Sequence, residues 1–358
     1  MKRFLVSLIC IGMVFSSTGC GKEKNIQPTA TQPEIKTEEP KKTEPVKEEP
    51  SLEGMAINPL TGLYIDEDAA KKRPFAVMIN NLHKALPQSG IGQADLYYET
   101  LAEGEITRIV AVFQNFDAEK IGPVRSARDY FTYFALDNDA FFIHHGGSET
   151  GYGAIRSCGL DSIDGMTDGA FWRDQARLNT PGMYEHSSYT DAQDLMESVE
   201  AKGYRTERNV EPMFTFYDED TALGGAALNA TDVVIPFSSY QVSEFVYDED
   251  TRLYTRIQSG EEQIDDLTGE AITVKNVILQ QTEISIIPGD DAGRRNVDLV
   301  GSGYGVFITN GKARNITWEK ADYSTQTKWY DEKGKELKMN TGKTWICVYP
   351  SNKTYTLE

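Results

Sequence analysis

Residues 107–136 read TRIVAVFQNFDAEKIGPVRSARDYFTYFAL, and within this stretch a strand pattern gives way to a helix pattern. Thr107–Phe113 ends in five consecutive apolar residues, and it is the clearest signal for a buried strand in the chain. A Gly-Pro pair at 122–123 then breaks the chain, and aromatic residues at 130, 131 and 134 follow at helical spacing. Ser126, three residues before an aspartate, is typical of a helix start. The stretch therefore predicts a strand, a turn and a helix in succession.

The sequence on either side of this stretch repeats the alternation of strands and helices. Apolar runs at Phe75–Ile79 and Ala140–His144 predict two more buried strands, whereas residues 94–102 fit either a strand or a helix. The predicted helices of this part start at Ser126, Glu149 and Asp191. Strands that alternate with helices predict an α/β domain with a mostly parallel or mixed sheet over residues 55–210.

Residues 211–358 show a different pattern, with short strand-like runs and no long helical period. The clearest runs are 233–235, 244–247, 253–257, 274–279, 305–308 and 345–349. Asn310-Gly311 lies between alternating apolar and polar residues, which is a strong signal for a β-hairpin. The second domain is therefore predicted to be mostly β, as a sandwich or barrel, and the folded chain as a whole is predicted to be α+β.

The first twenty residues have the layout of a bacterial lipoprotein signal. Lys2 and Arg3 precede an apolar segment at 4–15, and the sequence Ser17-Thr18-Gly19-Cys20 follows. Small residues before a cysteine at this point predict that residues 1–19 are a cleaved signal peptide and that Cys20 receives acyl chains. The alternative is an ordinary signal peptide with an incidental cysteine.

Residues 20–54 are predicted to form a disordered tether between the lipid and the folded part. This segment holds five prolines and no aromatic residue, so it cannot form a hydrophobic core. The predicted location of the protein is therefore outside the cytoplasm, anchored to the cell membrane through Cys20.

The charge of the chain restricts its partners. There are 36 Lys and Arg residues against 55 Asp and Glu residues, which gives a net charge of −19. So acidic a chain is repelled by the phosphates of nucleic acids and by anionic lipid head groups. Nucleic acid is therefore not a predicted partner, and the lipid on Cys20 is the predicted contact with the membrane.

Two strand-to-helix turns carry most of the candidate ligand-binding residues. In α/β sheets, ligands bind where loops leave the carboxyl ends of strands. The candidates on and near these turns are Arg108, Arg125, Ser126, Arg128, His144, Ser148, Arg173 and His186. Arginines beside a helix N-terminus suit an anion such as phosphate. The alternative is that Arg125 and Arg128 only pair with carboxylates, such as those of Asp129, Glu99 or Glu103.

Other chemistries have weaker support in the sequence. Ser148 lies in a Gly-rich turn, and Asp164 and His186 follow, but the Gly-x-Ser-x-Gly pattern of a serine hydrolase lacks its last glycine. His144 and His145 are adjacent at a strand end, so their side chains point to opposite faces and are poor joint metal ligands. No metal or other cofactor is predicted.

Several short motifs occur in an order typical of one protein family. They are residues 73–81 (RPFAVMINN), 121–128 (IGPVRSAR), 145–148 (HGGS), 186–190 (HSSYT), 297–303 (VDLVGSG) and 342–346 (GKTWI). Together they resemble the YerB-like lipoproteins, a family built on two domains of unknown function. The resemblance implies a surface lipoprotein with two folded domains, and it implies no reaction. Residues 178–185 depart from the family pattern just before His186, so the resemblance gives no support to His186 as a site residue.

The leading hypothesis for function is a binding or interaction module of the cell envelope, whose partner is a cell-wall component or a membrane protein. The alternative is an envelope enzyme that acts on a phosphate-bearing substrate, such as a lipid-linked glycan, with Arg125 and Arg128 as anion ligands. The hypotheses differ in one structural expectation: arginines in an open pocket favour the phosphate substrate, and arginines in closed ion pairs favour the binding module. The sequence fits either an enzyme or a binding module.

Overall fold

The computed structural model describes residues 52–358 of the protein. The predicted signal peptide, Cys20 and most of the tether lie outside the described residues. The five α-helices of the described part are α1 (Glu67–Lys71), α2 (Asp129–Asp137), α3 (Glu149–Cys158), α4 (Gln175–Leu178) and α5 (Ala192–Ala201). Short 3-10 turns occur at His83–Ala85, Ile91–Gln93, Glu103–Glu105 and Tyr184–His186. Within residues 52–358, no helix has both the length and the apolar composition needed to cross a membrane.

Strands make up the larger part of the regular structure. The first ten are β1 (Met55–Ile57), β2 (Tyr64–Asp66), β3 (Phe75–Asn80), β4 (Leu96–Leu101), β5 (Thr107–Phe113), β6 (Phe141–His144), β7 (Ser162–Asp164), β8 (Trp172–Arg173), β9 (Ser188–Tyr189) and β10 (Thr215–Phe216). The next eight are β11 (Leu228–Asn229), β12 (Asp232–Pro236), β13 (Val242–Asp248), β14 (Leu253–Gln258), β15 (Glu261–Glu262), β16 (Thr273–Val274), β17 (Asn276–Thr282) and β18 (Ile284–Ile286). The last seven are β19 (Arg295–Val297), β20 (Gly301–Thr309), β21 (Lys312–Lys320), β22 (Lys328–Tyr330), β23 (Lys338–Met339), β24 (Thr344–Pro350) and β25 (Thr356–Leu357).

An eleven-stranded main sheet runs through both halves of the described chain. Its order is β11-β21-β20-β17-β24-β4-β5-β3-β6-β7, with β22 paired to β21. The strands β3, β6 and β7 are parallel to one another, whereas β5 is antiparallel to β3 and β4. Strand β24 joins the halves, because it pairs in parallel with β4 on one side and with β17 on the other. The sheet of the N-terminal part is therefore mixed, within the range that the sequence predicted.

The C-terminal part is mostly β, as predicted. All five α-helices precede residue 202, and strands β12 to β16 form a second, six-stranded sheet with β25. The predicted hairpin at Asn310 and Gly311 is confirmed between β20 and β21. These two residues have φ angles of 51° and 69°, the left-handed values that a two-residue type I′ turn requires. The α+β class of the whole folded chain is therefore confirmed.

Both faces of the central strands of the main sheet, β24, β4, β5, β3 and β6, are buried. Neighbouring residues of one strand, such as Val77 and Met78 of β3, pack into two different apolar clusters on opposite faces. Such strands read as continuous apolar runs, which is why β3, β5 and β6 could be predicted. Residues 94–102, which the sequence left open, contain β4, whose Tyr97 and Tyr98 likewise enter the two different clusters.

A buried ion pair joins a residue of the N-terminal half to a residue of the C-terminal half. Glu99 of β4 and Arg256 of β14 are both fully buried, and Arg256 Nη2 lies 3.2 Å from Glu99 Oε2. The Glu99 carboxylate also accepts hydrogen bonds from Asn81, Thr107, Ser243 and Trp345. A charge is tolerated in a protein interior only when it is paired and hydrogen-bonded, so loss of either partner would leave the other charge buried and uncompensated.

The carboxyl ends of the parallel strands β3, β6 and β7 lie at one edge of the main sheet. The segment 121–128 returns across this edge, where Val124 N–H donates to Ser188 O at 2.8 Å. Gly122 makes this close approach possible, because it has a φ of 145° and a β-carbon there would lie 2.9 Å from Ser188 O. The end of the sheet and this segment together form the base of the candidate site.

The helix starts at this edge lie close to the predicted ones. Helix α3 begins at Glu149 as predicted, and the Ser148 hydroxyl oxygen caps it by accepting a first-turn N–H at 3.0 Å. Helix α2 begins at Asp129, three residues after the predicted start at Ser126. The reason is that the backbone around Ser126 is held extended against residues 145–147 by hydrogen bonds.

Candidate functional site

Two turns lie side by side at the carboxyl edge of the main sheet. Residues 124–128 lead into α2, residues 145–148 lead into α3, and Ala127 forms a parallel bridge with Gly147. Ser148 N–H donates to Ala127 O at 3.2 Å, which keeps the turns in register. The N-termini of both helices therefore meet at one place, where the helix dipoles favour negative charge.

A cleft of about 640 Å³ opens at these turns. Its walls contain three arginines, Arg125, Arg128 and Arg173, and one carboxylate, that of Glu185. The other lining residues are Val124, Ser126, His145, Gly146, Gly147, Tyr152, Met166, Tyr184 and Ser188. The cleft is thus lined by more positive than negative side chains, although the whole chain carries a net charge of −19.

Arg128 and Arg108 share one carboxylate beneath the cleft. Glu103 pairs with Arg128 Nε through one oxygen and with Arg108 Nη2 through the other, at 3.0 Å. Burial opposes ionisation of Glu103, but the hydrogen bond from Arg128 and the charge of Arg108 outweigh it and lower the pKa of Glu103. Arg108 is itself buried, and mainly because of this burial its pKa falls to about 10. Arg108 Nη1 donates to Ser126 O at 2.8 Å. Arg108 therefore supports the turn from below, and Arg128 reaches the cleft.

Arg125 and Arg173 both hold the 3-10 turn at 184–186. Arg125 Nη1 donates to Glu185 O at 3.0 Å, and its Nη2 lies 3.1 Å from the Glu185 carboxylate, whose side chain is 70% exposed. Arg173 Nη1 donates to Tyr184 O at 2.9 Å, and its guanidinium carbon lies 4.4 Å from the centre of the Tyr184 ring. Among residues 52–358, no carboxylate oxygen lies within 4.0 Å of Arg173. Arg173 is therefore the arginine of the cleft whose charge is least neutralised.

Both ring nitrogens of His145 are engaged. Arg173 Nη2 donates to His145 Nε2 at 3.1 Å, so the hydrogen of the neutral ring is on Nδ1, which donates to Ser188 Oγ at 2.7 Å. Burial and then the charge of Arg173 lower the pKa of His145, which keeps the ring neutral. In this arrangement His145 cannot remove the Ser188 proton, because it donates to Ser188 instead.

The other predicted residues lie near the cleft without lining it. His144 is buried, and its Nδ1 lies 2.8 Å from Gly146 O. Ser148 caps α3, as described above, and His186 Nδ1 accepts from Asn80 Nδ2 at 2.7 Å. Ser148 and His186 thus have separate partners, and the structure does not join them in a hydrogen-bonded catalytic group.

Nine of the thirteen lining residues were not among the predicted ones, and these nine include His145, Met166, Tyr184 and Glu185. A signal for His145 was available, because adjacent residues at a strand end face opposite sides and the buried His144 leaves His145 facing the cleft. The other three come from loops that the tertiary fold brings back to the turns, and nothing in their local sequence indicates this. Within the described part of the chain, no three His, Cys, Asp or Glu residues are grouped as a metal site.

These features define an α+β protein with an arginine-lined cleft at the edge of a mixed sheet. Family models described as "Protein of unknown function (DUF3048)", N-terminal domain and C-terminal domain, match residues 60–205 and 233–346. The chain belongs to the DUF3048 family, and the resemblance to YerB-like lipoproteins seen in the sequence is confirmed.

Two comparisons with individual proteins agree with this assignment. A protein of Bacillus subtilis (strain 168) named "Putative lipoprotein YerB" is 34% identical over 297 residues, which cover 82% of this chain and 86% of that protein. The crystal structure of the YerB protein from Bacillus subtilis matches with a TM-score of 0.74 and 32% identity. That match covers 84% of this chain and 98% of the other, so the similarity extends over both parts of the fold.

Proposed function

We propose that the protein is a lipoprotein of the bacterial cell envelope whose folded part binds a phosphate-bearing component of the cell wall in the arginine-lined cleft. Residues 1–20 support the envelope location, and so does the name of the Bacillus subtilis relative, which describes that protein as a lipoprotein. In this proposal Cys20 carries the lipid, and residues 20–54 separate the folded part from the membrane.

The observation that carries the proposal is the position of Arg173. Its guanidinium lines the cleft with Arg125 and Arg128, and no carboxylate of residues 52–358 lies within 4.0 Å of it. Guanidinium groups form paired hydrogen bonds with phosphate oxygens, and these charge-assisted bonds are stronger than neutral ones. An anion in the cleft would therefore meet one arginine whose charge is not yet balanced.

The two hypotheses drawn from the sequence differ in the surroundings that they expect for Arg125 and Arg128. Arg125 and Arg128 line an open cleft, and each also pairs with a carboxylate, that of Glu185 or of Glu103. The pair with Glu185 is exposed, and exposed pairs contribute only about 0.2–1 kcal/mol. Arg125 can therefore exchange this partner for a ligand at low cost, whereas Arg128 stays anchored to Glu103.

Binding is better supported than catalysis by the hydrogen bonds around the cleft. A nucleophilic hydroxyl needs a neighbouring base that takes its proton, and the nearest imidazole to Ser188 donates to it instead. Ser126 Oγ donates to the main-chain oxygen of His145 at 2.9 Å, and a carbonyl oxygen is too weak a base to take the hydroxyl proton. The cleft thus supplies positive charge and positioning, which suits the binding hypothesis more than the enzyme hypothesis.

The proposal can be tested by calorimetric titration of the full chain, purified in detergent, with a glycerol phosphate polymer at low and high salt. The variant Arg173→Ala removes the least neutralised charge, and Arg156→Ala in the last turn of α3 removes an exposed arginine outside the cleft as a matched control. A charge-assisted hydrogen bond contributes about 1.5–3 kcal/mol, so Arg173→Ala is expected to weaken binding by about 10- to 100-fold.

Binding that weakens with salt, is lost in Arg173→Ala and is kept in Arg156→Ala would support the proposal. Equal binding by both variants would place the anion elsewhere on the molecule. No binding by the unmodified chain would refute the proposal for this class of ligand and would favour a membrane protein as the partner.

A further inference from the structure

Two large apolar side chains stand exposed in the wall of the arginine-lined cleft. Tyr184 is 62% exposed and Met166 is 64% exposed, and both line the cleft. The Tyr184 ring has the guanidinium of Arg173 against one face, at 4.4 Å, which leaves the rest of the ring to the solvent. These exposed apolar side chains would not contribute to the binding of an inorganic anion, because such an anion gains no binding free energy from apolar contacts.

The hydroxyl groups of the cleft have complementary hydrogen-bonding capacity left over. Ser188 Oγ accepts from His145 Nδ1, so its own hydrogen remains available to donate. Ser126 Oγ uses its hydrogen to donate to His145 O, so its lone pairs remain available to accept. A ligand that itself carries hydroxyl groups can satisfy both, since a hydroxyl is donor and acceptor at once.

The size of the cleft points the same way. Its volume of about 640 Å³ far exceeds what a phosphate group fills, and it lies within the range of about 300–1,000 Å³ that is usual for sites of small organic ligands. The ligand that fits has three parts: an anionic group for the arginines, hydroxyl groups for the serines, and a face of C–H bonds for the aromatic and thioether side chains.

We infer that the ligand of this cleft is a phosphorylated sugar unit, with the phosphate on Arg125 and Arg173 and the sugar ring against Tyr184 and Met166. This inference rests on the proposed function, because it uses the same cleft and the same anion. It adds that the protein recognises the sugar as well as the phosphate, and that Tyr184 determines this specificity.

The test compares three probes by titration of the full chain in detergent: inorganic phosphate, N-acetylglucosamine 1-phosphate and N-acetylglucosamine. The sugar phosphate is expected to bind about 5- to 10-fold more tightly than inorganic phosphate, since one aromatic contact adds a factor of this order. Tyr184→Ala should reduce this ratio to about 1–2, because it removes the ring that the sugar contacts. Tyr184→Phe keeps the ring and should keep the ratio.

The design separates the two claims. Equal affinity of the unmodified chain for the sugar phosphate and for inorganic phosphate would overturn the sugar inference and leave the anion site standing. The same holds if Tyr184→Ala weakens both probes equally, because Tyr184 would then act only by supporting Arg173. Absence of binding to either phosphate probe would overturn the proposed function itself. Tyr184 is exposed, so its replacement leaves the hydrophobic core intact.

Discussion

Replacing Glu185 by glutamine is expected to tighten phosphate binding about fivefold. Glu185 provides the single carboxylate among the residues that line the cleft, and this carboxylate lies 3.1 Å from Arg125 Nη2. Glutamine has nearly the same size, and the substitution leaves the hydrogen bond from Arg125 Nη1 to the main-chain oxygen of residue 185 in place. The change therefore removes a negative charge from the cleft while its shape is kept.

The magnitude follows from two small terms. The side chain of Glu185 is 70% exposed, and a pair of this kind contributes about 0.2–1 kcal/mol, which a ligand must replace when it takes Arg125. A ligand anion about 6 Å from the carboxylate is also repelled by about 0.7 kcal/mol in water. Together these terms amount to about 1 kcal/mol, or about fivefold in the dissociation constant. The loss of folding stability should stay below about 1 kcal/mol, because only the exposed pair is lost.

The assay is titration of the full chain with inorganic phosphate, followed by calorimetry at low salt and again at high salt. Glu332→Gln is the matched control, because it makes the same change in net charge at an exposed position outside the cleft. Tighter binding in Glu185→Gln alone is the expected result. If Glu185→Gln binds phosphate no better than the unmodified chain, or if Glu332→Gln gains as much, the carboxylate does not compete with the ligand and the reasoning is refuted.

Three further predictions concern the framework of the cleft. Glu99→Gln should lower the free energy of unfolding in urea by about 3–5 kcal/mol, because it leaves Arg256 buried without its partner. The control Glu67→Gln, at an exposed position, should leave the midpoint of unfolding unchanged, and similar effects of the two substitutions would contradict the role given to the buried pair. Gly122→Ala should lower the free energy of unfolding by more than about 1 kcal/mol and weaken phosphate binding, since φ is 145° and the new methyl group would contact Ser188 O. Its control is Gly153→Ala, at an open position in α3, which should raise the free energy of unfolding by about 0.5–1 kcal/mol. Burial lowers the pKa of His145 below its ordinary value of 6.5, so NMR should find that the ring titrates below pH 6.5. This group should therefore make the folded state less stable as the pH falls below 6.5. A titration midpoint above pH 6.5 would contradict the hydrogen bond from Arg173.

Local patterns in the sequence were sufficient for the elements that local chemistry determines. The strand at Thr107–Phe113 could be predicted because a strand buried on both faces has a continuous apolar run, here the last five residues. Asn310 and Gly311 form the predicted turn because both can adopt positive φ angles. Ser148 precedes a helix because its hydroxyl oxygen accepts a first-turn N–H.

The parts that depend on distant contacts could not be predicted. Strand β24 inserts beside β4 although about 250 residues separate them, and neither strand carries a pattern that specifies this partner. Glu99 interrupts the apolar pattern of β4, which made residues 94–102 ambiguous, and its partner Arg256 lies in the other half of the chain. Four of the predicted ligand residues line the cleft, namely Arg125, Ser126, Arg128 and Arg173. Tyr184 and Met166 also line it, but they were not predicted, because they lie in loops without a local signal.

The most direct test of an anion site in this cleft is NMR of the arginine side chains during titration of the full chain with phosphate. The account predicts that the Nε–H signals of Arg125 and Arg173 shift in a saturable, salt-sensitive manner, while that of Arg156 in the last turn of α3 stays in place. Shifts that are largest outside the cleft, or equal for all arginines, would contradict the account.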